Sequence, residues 1–413
     1  MYLELSKVNE ILKPYLEAND LTLYDVELVK EFGYLILRVS IDSKNGIDVD
    51  ALAKCNEFLS VELDKYDSDM PEYMLEVCSP GEYEICIREN IEPDKIVVSG
   101  VNKTKESIDR ILEYSKGKGI YTIESMNHYE ILSKCASDKK YKIGVIIRLT
   151  SGNQFGVDKV LFEELVEKIV KDGNLELLGL HYYSGTQKKI SKIEKEIKEL
   201  DEYAGYIKDK YVLGYFELEY GPGLLVPYFQ DSKVQESKEQ LKELNIILKN
   251  IKNYDKTTLE FGRFITANAG YYLTRINDVK NTDEIGYIIV DGGIHQINYY
   301  GQVMGMKKPY MSIIDTEGNV HSIEDAQDVP KWNICGSLCT VNDVIVRGVS
   351  IDNPKKDDIL IFENVGAYSV TEGMALFLSR ELPQVVLYNV DGKLEMVRNR
   401  HELYYLNSIG IDR

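Results

Sequence analysis

Three short stretches combine residue types that could grip an anion and carry a proton. LGLHYYSGTQ brings together His181, Tyr183, Ser184, Gly185 and Thr186. EYGPGLLVPY sets Gly221 and Gly223 around Pro222, and LEFGRFITANAG carries Glu260, Gly262 and Arg263. Glycines let backbone N–H groups approach a phosphate closely, a hydroxyl adds a donor, and arginine supplies a planar fork of donors. Any one of these stretches alone reads as a turn, a satisfied core histidine or an ordinary ion pair. Their weight comes from recurring at three successive strand ends.

The elements that must position them follow from the hydrophobic rhythm. From about residue 75 strands alternate with helices: YMLEV, KIVVS, GIYTIES, KIGVIIRL, LELLGLHYY, YFELEY and TTLEF are strands, with helical stretches such as TKESIDRILEYSK, NHYEILSKCA, KVLFEELVEKIVKDG and ISKIEKEIKELDEYAGYIKDK between them. Seven strands joined by helices, without hairpins, predict a parallel sheet curled into a (β/α) barrel of the TIM type, whose functional groups collect at the strands' carboxyl ends. Such a barrel closes with eight strands, so the first is missing. After about 275 the pattern turns to short strands (YIIVDGG, QINYYG, YMSIID, WNICG, DVIVRG, DILIFEN and QVVLYNVDGKLEMV), which predicts a C-terminal β domain. Before 75 the order is different. Leu3, Val8, Leu12, Tyr15 and Leu16 mark an amphipathic helix, LTLYDVELVK and YLILRVSID a hairpin, DVDALAKCNEFLSVELD a second helix and YMLEV a closing strand. The predicted organisation is a small α+β (αββαβ) domain over 1–74, an incomplete barrel over 75–275 and a β domain over 276–413.

Composition narrows the function classes. The 413 residues carry a formal charge of −19, which disfavours DNA or any extended phosphate backbone while leaving room for one small anion in a local pocket. The six cysteines contain no CxxC pair or Cys-His cluster of metal spacing, so no metal site is expected. No apolar run approaches the ~20 residues of a membrane helix. The acidic, amphipathic N-terminus is not a targeting peptide, so the expected compartment is the cytoplasm.

Ten stretches, in order, resemble the alanine-racemase-like (fold type III) pyridoxal-phosphate decarboxylases, the diaminopimelate and ornithine decarboxylase group. They are EVCSPGE, KIVVSGVNKT, ESMNHYEIL, GLHYYSGTQ, EYGPGLLVPY, EFGRFITANAG, VDGG, GSLCTVNDV, NVGAYSV and LSRELPQVVL. The resemblance implies pyridoxal 5'-phosphate as cofactor, an amino acid as substrate, and a homodimer with a shared active site. It implies that Glu260 stands beside the pyridine nitrogen and that Arg148, at an equivalent strand end, and His181 contact the cofactor. Thr186, Gly221, Gly223, Gly262, Arg263 and Tyr368 would hold the phosphate. Cys339 would reach the opposite subunit's cofactor and help protonate the product, with Asp343 a nearby acid. The sequence departs from the family at three places. Tyr183 stands where a histidine often packs on the cofactor ring, Pro222 removes one backbone N–H from the phosphate loop, and Thr340 replaces an acid that reads the substrate's amine.

The family's Schiff-base lysine, from a Lys-Ala-Asn motif on the first strand, has no counterpart, because the first unit occupies its place. That unit, 1 to about 81, resembles the N-terminal domain of the bacterial ribosome maturation factor RimP. LEVCSPG belongs to both resemblances. Lys54, in AKCN, is the nearest candidate for the missing amine, but its surroundings read as a solvated helix, and Lys30 and Lys44 fit no better. Two readings follow. The first is a pyridoxal-phosphate amino-acid decarboxylase impaired by the missing lysine. The alternative is a non-catalytic RimP-like ribosome-maturation module, touching a small-subunit protein, fused to a dead barrel. A recombined reading frame is a third.

Overall fold

The structure, a computed structural model, describes residues 5–31, 34–43, 54, 55, 58, 74–232, 234–282, 285–324, 326–389 and 392–408. These fall into two compact units, one drawn from Met1–Tyr73 and Glu381–Leu403, the other from Met74–Arg380 and Tyr404–Arg413.

In the first unit, α1 (Leu5–Ala18) buries Val8, Leu12 and Leu16, spaced four apart so that they share one face. Strands β1 (Thr22–Glu31) and β2 (Tyr34–Asp42) pair antiparallel from Thr22↔Asp42 to Glu31↔Tyr34, the predicted hairpin. Of the predicted second helix, Lys54, Cys55 and Phe58 are helical; Ala51, Ala53, Leu59 and Leu63 lie outside the described residues, as does Lys44. This unit also contains a hairpin of β17 (Val385–Tyr388) and β18 (Leu394–Arg398).

The second unit opens with the strand the sequence left ambiguous. β3 (Leu75–Val77) pairs parallel with β4 (Ile96–Val98), so LEV is the outer strand of the barrel sheet. Ser79 then caps α2 (Pro80–Arg88), its hydroxyl accepting from the Glu82 amide with Pro80 at the first helical position. The sheet continues through β5 (Ile120–Ile123), β6 (Ile143–Arg148), β7 (Leu175–Tyr183), β8 (Glu217–Gly221) and β9 (Lys256–Leu259), each parallel to the one before. Between them run α3 (Lys105–Ser115), α4 (Met126–Lys139), α5 (Lys159–Lys171), α6 (Ile190–Tyr211) and α7 (Ser237–Leu248). Thr104, Ser125 and Asp158 cap the N-termini of α3, α4 and α5, so polar residues at the strand-to-helix loops set where each helix starts. The buried strands β4 and β8 have no exposed position, as expected where a parallel sheet is covered on both faces. Among the described residues no strand joins β3 to β9, which leaves the barrel open where the eighth strand would stand.

After the short helix α8 (Gly262–Thr266), a seven-stranded mixed sheet forms. Its strands are β10 (Tyr272–Asn281), β11 (Gly286–Val290), β12 (Met311–Ile314), β13 (Val320–Ser322), β14 (Lys331–Cys335), β15 (Val344–Ser350) and β16 (Ile359–Phe362). Their order is β13-β12-β16-β10-β11-β14-β15, and only β11–β14 is parallel. Two local expectations need correction. QINYYG is not a strand: Gly293 O accepts from both the Gln296 and Ile297 amides and winds the chain into turns. YLTRINDVKN, not foreseen, is β10; its buried Tyr272, Thr274 and Ile276 alternate with exposed positions, a period of two interrupted by charges on the outer face.

Candidate active site

The carboxyl ends of β3 to β9 converge on a cluster of acids in which Glu219 is buried, Glu260 partly buried and Glu76 exposed. Glu260 follows β9, Glu219 lies in β8 and His181 in β7; one ligand atom from each lies within 4.8 Å of the others, a spacing that would also suit a divalent cation. His181 Nε2 stands 2.7 Å from Glu260 Oε1, but off the hydrogen-bond direction, so both ring nitrogens and Oε1 are buried without a hydrogen-bond partner. Burial pushes the Glu219 carboxyl well above its usual range, and the neighbouring Glu260 and Glu76 push it further. Burial also works against ionising Glu260, yet His181, a hydrogen bond from Glu219 and Arg148 outweigh it and leave Glu260 below the ordinary range. The pair therefore shares its proton unequally: Glu219 keeps it and donates, while Glu260 is the anion. On β3, Glu76 is raised by burial and by Glu260, and accepts from Ser99 Oγ at 2.5 Å.

Around this cluster the loops are shaped by glycine. A Cβ on Gly221 would stand 2.3 Å from the Tyr183 ring and 3.0 Å from Glu260 Oε2, so the missing side chain is what lets ring and carboxylate share the strand end. Gly223 has φ +56°, and a Cβ there would meet Gly185 O at 2.2 Å and the Thr186 Cα at 2.9 Å. This close approach locks the Gly185–Thr186 turn onto the Gly221–Gly223 loop. A Cβ on Gly262 would meet the Tyr368 hydroxyl at 3.0 Å. Arg263 Nη1 donates to Tyr228 Oη at 2.9 Å, and its guanidinium lies over the rings of Tyr368 (4.7 Å) and Tyr300 (5.0 Å), which orient the fork. The structure thus brings together His181, Tyr183, Thr186, Gly221, Gly223, Glu260, Gly262, Arg263 and Tyr368.

Arg148, at the end of β6, turns to Glu124 Oε2 at 3.4 Å and stacks on Phe155. Cys339 is exposed on the turn after β14, next to half-buried Thr340. Asp343 is buried and holds that turn: Oδ1 accepts from the Ile294 amide at 2.9 Å and Oδ2 from the Leu338 amide at 2.7 Å. Lys54 is exposed, and the side chain of Lys30 lies outside what the structure describes. Two groups in or beside the cluster escaped the sequence reading. Glu219 carried a signal, a carboxylate in the strand YFELEY that alternates with the apolar Phe216, Leu218 and Tyr220. Lys103 did not, since a lysine in the loop SGVNKT reads as solvated.

The chain resembles known proteins along its whole length. Residues 73–267 match the model of the pyridoxal-binding domain of pyridoxal-dependent decarboxylases, and residues 11–83 match the RimP N-terminal domain. The two matches overlap at 73–83, across β3 and the start of α2. Among curated proteins the chain is 24% identical to an L-glutamyl-[BtrI acyl-carrier protein] decarboxylase of Niallia circulans, covering 79% of each chain. It is 23% identical to a Bacillus subtilis diaminopimelate decarboxylase, covering 97% of this chain and 93% of that one. The fold matches a diaminopimelate decarboxylase from M. jannaschii in complex with L-lysine (TM-score 0.70, 19% identity, 94% of this chain and 98% of that one). It also matches a lysine/ornithine decarboxylase from Vibrio vulnificus (TM-score 0.61, 18% identity, 73% and 77%). From about residue 75 to its end the chain resembles the fold type III pyridoxal-phosphate decarboxylases of the diaminopimelate and ornithine group, and before that the N-terminal domain of RimP.

Proposed function

We propose that the second unit binds pyridoxal 5'-phosphate at the carboxyl edge of the barrel and decarboxylates an amino acid. The observation that carries this reading is the partly buried Glu260, held below the ordinary carboxylate range beside His181, with Oε1 and both His181 ring nitrogens making no hydrogen bond although Nε2 and Oε1 stand 2.7 Å apart. Buried polar atoms without partners are rare and mark a place for something else. A negative carboxylate there suits a protonated pyridine nitrogen, and the side-chain-free loops at Gly221, Gly223 and Gly262 beside Arg263 suit a phosphate. When bound, the coenzyme supplies a sink for the electron pair released as carbon dioxide leaves. In this reading Glu260 keeps that ring protonated, Glu219 holds Glu260 ionised by donating to it, and Tyr183 flanks the ring. Arg263, Thr186 and Tyr368 bind the phosphate.

The domain division at 74 and 275, a homodimer that brings Cys339 and Thr340 to the partner's site, and work in the cytoplasm belong to the same proposal. Among the described residues no helix is long and apolar enough to cross a membrane. Asp343 enters by positioning, since its two oxygens fix the turn that carries Cys339. Thr340 cannot pair with an ammonium as a carboxylate would, so the far end of the substrate is read by something other than charge at that position. The test is to add pyridoxal 5'-phosphate to the purified chain, follow coenzyme retention by absorbance, and assay carbon dioxide release from a panel of amino acids. Retention with release from at least one amino acid is expected; a chain that retains none overturns the reading.

A second reading attaches to the first unit, whose match to the RimP N-terminal domain favours a ribosome-associated role. Residues 1–78 hold 7 Lys and Arg against 17 Asp and Glu, which points to a protein rather than an RNA contact. Co-sedimentation with small ribosomal subunits that survives high salt would support it, and absence from that fraction would end it.

A further inference from the structure

We propose that Lys103 supplies the amine that tethers the coenzyme, in place of the lysine absent with the first barrel strand. The inference rests on the coenzyme-binding reading above. Lys103 lies in the loop that follows β4, at the same carboxyl edge as Glu76, Arg148, His181 and Glu260, one strand in from the open side of the barrel. It is 6% exposed. Its Nζ donates to Gly100 O at 2.6 Å and to Thr122 Oγ1 at 3.1 Å, and no ion pair among the described residues involves it. A buried lysine without a carboxylate partner is unusual, because an unpaired ammonium loses hydration and gains little in return.

The contrast with Lys188 sharpens the point. That amine is equally buried but saturated, donating to Glu196 Oε2, Gly221 O, Ser184 Oγ and Tyr220 Oη. It is bound into the architecture of the loop. Lys103 is held by two neutral oxygens on a flexible four-carbon stem and can leave them. Burial lowers its pKa to about 8, against the opposing pull of Glu124, so an appreciable fraction of the amine is neutral near physiological pH and can act as a nucleophile. The nearest charged groups on the surrounding strands and loops are Glu124, Arg148 and Glu76, with the Cys78 thiol beside them; burial pushes that thiol up to about 11, so it stays protonated and does not compete for an aldehyde.

The chemistry balances without an oxidant or reductant. The Nζ lone pair adds to the coenzyme's aldehyde carbon and a C–N bond forms. Both amine hydrogens then leave with the aldehyde oxygen as water, giving a C=N link. Thr122 Oγ1 and Gly100 O are placed to hold the amine before it reacts.

The test uses the full chain loaded with pyridoxal 5'-phosphate, reduced with sodium borohydride, digested and mapped by mass spectrometry. A phosphopyridoxyl group on the Lys103 peptide is expected. Lys103→Arg, which keeps the charge and a donor for Thr122 but cannot form the link, should lose the adduct and the visible absorbance of the bound imine while melting like the parent chain. An adduct on Lys54, Lys188 or another lysine overturns the proposal. Coenzyme retained on gel filtration with no reducible link also overturns it while leaving the binding reading intact. A chain that retains no coenzyme overturns both.

Discussion

Two buried acid clusters sit along the same edge of the barrel, one around Glu196 and one around Glu260, and they are built in opposite ways. Glu196 accepts from Ser184 Oγ at 2.6 Å, Tyr220 Oη at 2.7 Å and Lys188 Nζ at 2.9 Å. Burial alone would raise its carboxyl, but these donors outweigh that and leave it lowered. Every oxygen is used, and the cluster ties the Ser184–Lys188 loop to α6 and β8. Glu260 is less deeply buried, its side chain 17% exposed against 9% for Glu196, yet its Oε1, both His181 nitrogens and Glu124 Oε1 lack hydrogen-bond partners. A satisfied buried network stabilises a fold; an unsatisfied one is tolerated where a ligand completes it. The difference supports the proposed reading, in which the first cluster is architecture and the second awaits a ligand.

The comparison can be broken most directly at Glu260. Glu260→Ala should reduce decarboxylation by roughly 100- to 1,000-fold, the scale of losing one fixed electrostatic group in an active site, while its melting temperature stays near that of the parent. A strong loss of stability with activity intact would reverse the two assignments. Lys188→Met should do the opposite. Breaking this buried pair leaves Glu196 with two hydroxyl donors and only the half-exposed Lys192 at 3.7 Å. The cost, up to about 3 to 5 kcal/mol, is read as a fall in the urea midpoint, and an unchanged midpoint would show that the pair is not structural.

Gly223→Ala tests the link between the clusters, since Lys188 N donates to Gly223 O at 2.8 Å while the residue's own φ is positive. Strain of about 1 to 2 kcal/mol for the left-handed backbone, added to the clash with Gly185 O, should lower both stability and coenzyme retention. A variant that retains coenzyme as well as the parent chain would remove this loop from the phosphate site.

The smallest effect is a matter of pH. Glu219 binds its proton more tightly folded than unfolded, so its contribution is fully present below the unfolded carboxylate value of about 4.3. As pH rises above that value the native state holds the extra proton and stability falls. Glu219→Gln lacks this loss, so its melting temperature should match the parent near the unfolded carboxylate value of about 4.3 and exceed it increasingly as pH rises above that value. A constant difference across that range would mean that Glu219 is ionised in the native state.

Much of the fold was legible because local signals agreed with one another. Apolar runs such as KIGVIIRL and helical periodicity between them leave few arrangements other than a parallel barrel. The glycine loops with His181, Glu260 and Arg263 were legible for the same reason: they fall at strand ends, where a barrel gathers its chemistry. Cys339 and Asp343 illustrate the limit. The family resemblance put both near a site, but only the structure showed both Asp343 oxygens accepting from the Ile294 and Leu338 amides. QINYYG failed because alternation over six residues cannot outweigh the turn bonds to Gly293 O.

The sequence by itself determined the order of elements, the open side of the barrel and the double identity of LEVCSPG, because each depends on residues close together in the chain. Tertiary structure decided which way that stretch goes: β3 pairs with β4 and becomes barrel. It also decided which charges matter. Lys103 and Lys188 both lie in polar loops with a second lysine close by, Lys105 and Lys189, and nothing local separates them. What separates them is whether residues distant in the chain, such as Glu196 and Tyr220, arrive to complete their hydrogen bonds, and long-range burial alone sets that.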